Sequence, residues 1–224
     1  MTDITANAGQ GKEGQADAPV TAQERPDLLI GLGLIAIGGC LIFTLSILIA
    51  DFVVPHHDWV ADTISDLGAG ELEWIVDIGI YSFSAALLAC ATGAAHVHLG
   101  RHGWTFGIYG LIVTALVVFL IGARNEYGDQ DQDGAVIHIY LVYALGGLFA
   151  AIPWAMSAGA RRAGEGYGRA CLWASWLWIV SAPVFFMLPT SIDGIYERYL
   201  GLLTFVYVCA LGLLFIRRGL AKRG

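Results

Sequence analysis

The sequence predicts an all-α, polytopic membrane protein of six transmembrane helices with both termini in the cytoplasm. Three observations lead there. The 224 residues are 57% hydrophobic and only 14% charged, whereas a soluble domain carries about 25% charged residues. The apolar residues gather into six runs, each near the roughly 20 residues that cross a bilayer at about 1.5 Å rise per residue. Lys and Arg are spread unevenly among the connecting pieces, which orients the chain.

The runs occupy residues 28–50, 74–96, 104–123, 136–157, 171–188 and 195–216. None alternates with period 2. Lipid leaves no backbone polar group unsatisfied, so segments of this length form helices and not a barrel. Residues 1–27 form a polar tail rich in Gly, Ala, Gln and acids, expected to be disordered because it cannot bury enough apolar surface. The tail is too long and too acidic for a signal peptide, so the first run is expected to stay as an anchor. The six-helix domain spans 28–216, and 217–224 is a basic tail.

With the N-terminus inside, the cytoplasmic pieces hold Lys12, Arg25, Arg101, Arg161, Arg162, Arg169, Arg217, Arg218, Lys222 and Arg223. The outer pieces hold only Arg124 and Arg198. The positive-inside rule therefore puts both ends in the cytoplasm of a multi-pass plasma-membrane protein. Trp74, Trp104, Trp154 and Trp173 lie toward run ends, where aromatic anchors sit at the interface. Gly33, Ala36 and Cys40 form a small-residue stripe suited to close helix packing. Pro153 and Pro183 fall inside the fourth and fifth runs and are expected to kink them. Cys40, Cys90, Cys171 and Cys209 lie in or beside apolar runs without CxxC spacing, and read as buried thiols. No basic groove or aromatic binding motif points to nucleic acid.

This topology collects a dense set of ionisable residues at the outer end. The first outer loop, PHHDWVADTISDLGAG, carries His56, His57, Asp58, Asp62, Ser65 and Asp66, with Asp51 just before it and Asp77 beginning the second helix. The second outer loop brings Arg124, Glu126 and the run Asp129, Asp131, Asp133, then His138 at the head of the fourth helix. Asp193, Glu197 and Arg198 open the sixth. Charged groups at a hydrocarbon edge pair with one another or face a polar cavity, and both readings stand. In the first, Arg124 or Arg198 pairs with Asp66, Asp77 or Glu197 to clasp the loop over the bundle. In the second, Arg124, Arg198, Glu197 and Asp77 bind the head group of a membrane lipid or lipid-linked molecule. His138, Asp66 and Ser65 are then the candidates for acid–base or nucleophilic chemistry.

Metal readings carry less. His56, His57, His138 and Asp66 have ligand chemistry but no zinc spacing, so solvated loop histidines are the simpler expectation. DQDQDG at 129–134 opens like a calcium loop through Asp129, Asp131 and Asp133, yet Tyr140 stands where the twelfth-position Glu belongs. A partial calcium site completed by another loop is what remains of that pattern. His96, His98 and His102 lack a facing axial partner for haem and are expected at the cytoplasmic interface beside Arg101. The usual nucleophile elbow, zinc-protease and phosphate-loop motifs are missing. A transporter is disfavoured because no charged residue sits at the middle of any run.

ISDLG at 64–68 after the first helix, His138 opening the fourth, and Glu197–Arg198 opening the sixth form a combined pattern. It resembles the bacterial and archaeal six-helix membrane family called domain of unknown function 998. The resemblance covers about 28–216. It implies the six-helix architecture and a functional role for the outer cluster, without naming an activity.

Overall fold

The computed structural model describes residues 24–70, 72–123 and 137–223. Among them the chain is helical, with no strand. The helices are α1 (Pro26–Val53), the short α2 (Ile64–Leu67), α3 (Glu73–Val97), α4 (His102–Ala123), α5 (His138–Ala163), α6 (Glu165–Phe185) and α7 (Asp193–Ala221). A single 3₁₀ turn, Thr190–Ile192, leads into α7.

Among the described residues, five helices are long and apolar enough to cross a membrane: α1, α3, α4, α5 and α7, the last counted with its 3₁₀ turn. The sixth expected span, α6, is not among them. Its composition explains this: Glu165 and Arg169 occupy the first turns, and Trp173, Ser175, Trp176, Trp178, Ser181 and Pro183 dilute the aliphatic residues. The long helices also exceed the apolar runs. α1 begins at Pro26, two residues inside the expected tail, because Pro suits the first helical position, where no N–H donor is needed. At the other end, α7 carries its helix through Arg217 and Arg218 to Ala221.

The six long helices form a closed ring in which α1 packs on α3 and α7, α4 bridges α3 and α5, and α6 bridges α5 and α7. Small residues set the closest approaches. A Cβ on Gly33 would lie 2.5 Å from the Gly212 carbonyl of α7 and 2.6 Å from Ile216, so these backbones meet only without side chains. Ala36 and Cys40 are buried on the same face of α1. On α4, added Cβ atoms at Gly103 and Gly110 would press on Ala155 and Ile152 of α5. Such contacts replace the hydrophobic drive that lipid cannot supply between helices. The large side chains exposed on α1, among them Leu34, Leu41, Leu45 and Leu48, face away from the bundle as lipid-facing residues should.

Trp104 departs from its expected place at the interface. It is 1% exposed, donates from Nε1 to the Ala94 carbonyl at 2.8 Å, and packs where Gly159 leaves room. Trp74, Trp154 and Trp173 are exposed. The four cysteines are free thiols, three of them buried.

The end opposite α2 is tied by ion pairs. Glu24 holds Arg218 through two bonds of 2.8 Å and Lys222 at 3.0 Å, and Asp27 pairs with Arg223. The Arg218 guanidinium is the main reason the Glu24 carboxyl is lowered from 4.5 to about 2, with Lys222 adding to it and burial opposing both. His96 receives the backbone N–H of Arg25 at 2.8 Å, which places it at this end of the bundle.

Candidate functional site

The loop between α1 and α3 folds down onto the bundle and contains α2. Thr63 and Asp66 build that single turn as a reciprocal cap. Thr63 Oγ1 accepts the Asp66 N–H at 3.0 Å, while Asp66 Oδ2 accepts the N–H and hydroxyl of Thr63 at 2.8 and 2.7 Å. The motif is legible in the sequence as T-x-x-D, a capping-box variant. Asp66, a candidate for chemistry, thus has a clear local task in holding α2. Ile64 and Leu67 point into the core at 8% and 2% exposure, which turns Ser65 and Gly68 toward the bundle axis.

Beneath α2 lies a cavity of about 210 Å³ to which every helix contributes. At the α2 end of the ring its polar residues are Ser65, Asp77, His138 and Glu197, and further along α7 Thr204 also lines it, with its hydroxyl donated to the Gly201 carbonyl at 2.7 Å. Its deeper wall is aromatic: Phe43, Phe83, Phe149 and Trp178. These rings brace one another, with Phe43 and Phe83 stacked at 5.6 Å and Phe149 edge-on to Trp178 at 5.1 Å. Trp178 is also fixed by donating Nε1 to the Gly146 carbonyl at 2.9 Å. The cavity is therefore amphipathic, with hydrogen-bonding groups at one end and rigid apolar walls beyond.

Glu197 joins α7 to the lid. It accepts the Ile64 backbone N–H through Oε2, and its Oε1 lies 3.5 Å from Ser65 Oγ. Ser65 Oγ also lies 3.4 Å from Nε2 of His138, which is 8% exposed. One hydroxyl thus stands between an imidazole nitrogen and a carboxylate oxygen, facing the cavity.

Arg198 is placed elsewhere. Sequence reasoning paired it with Asp66, Asp77 or Glu197 and offered it as a head-group ligand. Its guanidinium is instead committed to Asp51, the acid in the last turn of α1, through Nε at 3.3 Å and Nη2. Nη1 donates to the carbonyls of Asp62 and Gly194, each at 2.9 Å. His57 completes the group, with Nε2 3.0 Å from Asp51 Oδ1 and 3.1 Å from Arg198 Nη2, and Nδ1 3.4 Å from Asp62 Oδ2. The His57 side chain is 4% exposed, so it is no solvated loop histidine. No motif spacing signals this role, because the contact with Arg198 forms only once the loop folds back on α7. His56, in contrast, is exposed.

The α7 terminus shares in this clasp. Gly194 and Ile195 donate their backbone N–H groups to the Ala61 and Val60 carbonyls at 3.2 and 3.0 Å, which satisfies donors that a helix start leaves open. A Cβ at Gly194 would strike the Asp62 carbonyl, so this position requires glycine.

The predicted residues therefore separate. Ser65, Asp77, His138 and Glu197 line the cavity, Arg198 belongs to the clasp, and Asp66 caps the lid. Arg124 and the acidic run Asp129, Asp131 and Asp133 lie outside the described residues. Among the described residues, no group of three or more metal-ligating side chains is arranged to hold an ion.

Fold and comparison agree on an integral membrane protein with transmembrane helices. A family model described as "Protein of unknown function (DUF998)" matches residues 37–214, and the chain belongs to that family. No curated protein and no solved structure matches it.

Proposed function

We infer that this is a six-span plasma-membrane protein whose α2-capped cavity binds a lipid or lipid-linked amphiphile. The head group meets Ser65, Asp77, His138 and Glu197, and the first part of the tail lies against Phe43, Phe83, Phe149 and Trp178. One observation carries the reading: the cavity inside the helix ring has hydrogen-bonding residues at the α2 end and aromatic walls below. Small-molecule sites have this constitution, mostly apolar with a few placed polar groups. The clasp reading accounts for Arg198, Asp51 and His57, and leaves the cavity residues to this second task. In the same reading α6 is the sixth span, and the α2 end faces outward because the Lys and Arg residues concentrate at the other end.

The test is native mass spectrometry of protein purified in mild detergent, with lipid extraction from the same sample. A defined amphiphile should accompany the wild type and be depleted from Gly201→Leu. Gly201 lines the cavity, and a Cβ there meets nothing within 4 Å, so a side chain can begin at this position without a clash and take up cavity space. Equal co-purification from wild type and the filled variant would overturn the reading.

A further inference from the structure

We propose that Ser65 is the nucleophile of an acyl-transfer site with His138 as its base, acting on a carboxylic ester of the bound amphiphile. The proposal deepens the preceding section and rests on its reading of the cavity. A nucleophilic serine needs a base in hydrogen-bond reach, and such pairs are often looser without substrate than in the reacting complex. Ser65 Oγ and His138 Nε2 are 3.4 Å apart, and both residues line the cavity. They come from different elements, a capped lid turn and the first residue of α5. Glu197 accepts the backbone N–H of Ile64 and so holds the turn that presents Ser65.

The cavity's polarity selects the bond. In an ester lipid, the junction between polar head and apolar tail is the ester itself. An amphiphile seated with its tail on Phe83 and Phe149 and its head at the α2 end brings that junction to the polar–apolar boundary, where Ser65 lies.

In the step, Ser65 Oγ bonds to the carbonyl carbon as its proton passes to His138 Nε2. The carbon–oxygen bond to the alcohol portion then breaks, and the departing oxygen takes that proton from His138. Water, or an acceptor hydroxyl, repeats the sequence on the acyl-serine, giving the free acid or a new ester and restoring Ser65. No oxidant, reductant or metal enters the balance.

A fluorophosphonate probe tests this on the full chain in detergent or vesicles. The expected result is one covalent adduct, mapped by peptide mass spectrometry to Ser65 and absent from Ser65→Ala. His138→Ala and the bulkier His138→Gln should slow labelling about 100-fold or more, the scale of general-base assistance. Both variants should still show a cooperative melting transition, which establishes that they are folded. Failure to label Ser65 in folded protein that still carries its amphiphile would overturn the proposal and leave the binding reading intact. Labelling unchanged in both folded His138 variants would overturn it equally. Loss of the amphiphile from wild type would remove the cavity reading on which the proposal stands.

Discussion

Replacing Arg198 with Met separates the clasp from the cavity. The guanidinium joins α7 to Asp51 of α1 and to the Asp62 carbonyl of the loop, with Arg198 and Asp51 side chains only 13% and 12% exposed. Removing one partner of a buried pair costs about 3–5 kcal/mol, mainly because the other charge remains desolvated. Residual exposure puts this pair at the lower end, about 3 kcal/mol. For a chain of this length, each kcal/mol lowers the melting temperature by about 2–4 °C, so Arg198→Met should melt roughly 6–12 °C below wild type. Asp51→Leu should lose a similar amount, and the double variant should recover about 2 kcal/mol relative to additivity. Thermal unfolding in one detergent, followed by intrinsic tryptophan fluorescence, completes the cycle. Losses under about 1 kcal/mol, or strict additivity, would show that the pair is not a closed clasp.

Three other outcomes follow from the packing. Gly33→Val places side-chain atoms on the Gly212 carbonyl and Ile216, and overpacking should cost about 1–3 kcal/mol, read as a lower melting temperature. Glu24→Gln should reduce stability at neutral pH by about 1 kcal/mol after solvent screening. The Glu24 carboxyl is lowered in the folded protein by Arg218, so its stabilisation is complete above the usual 4.5 and declines as pH falls toward about 2. Melting of wild type and Glu24→Gln should therefore converge across that window. Trp104→Phe removes one of the two donors to the Ala94 carbonyl, which keeps the His98 N–H, and should cost about 1 kcal/mol, read as a lower melting temperature.

The helices were legible because lipid makes length and apolarity decisive. Even so, hydropathy sets α6 apart from the other long helices, because its tryptophans and serines engage its neighbours. Ser175 donates to the Ala150 carbonyl at 2.6 Å and Trp178 to Gly146, so residues that lower its apolarity are part of its packing. Trp104 was misplaced for the converse reason. Its position near a helix end resembles an interface anchor, and only the contacts with Gly159 and the Ala94 carbonyl reveal a core residue. At the α2 end, nearness along the sequence could identify the polar set but not divide it. Thr63 and Asp66 are the exception, since their bonding is local. Asp51 and His57 meet Arg198 only after the loop returns to α7, and no periodicity encodes that return.

Consecutive residues of α7 show how the division is maintained. Side chains one position apart on a helix point about 100° from each other, as a repeat of 3.6 residues per turn requires. Glu197 therefore reaches the start of α2 at Ile64, while Arg198 reaches Asp51, His57 and the Asp62 carbonyl just before it. The loop is fastened on both sides of Thr63, and the two fastenings have different surroundings. Arg198 lies in a charged group that fixes the approach to the lid, whereas Glu197 borders the cavity that the lid covers. Loosening Arg198 should act on Ser65 only through the position of the turn, while changing His138 acts on the Ser65–His138 pair itself. A lid held rigidly beside a cavity is what a pre-positioned hydroxyl needs, because reactivity depends on geometry maintained before substrate arrives. The stability of the clasp and the chemistry proposed for the cavity are thus separable by mutation, although they share one turn of helix.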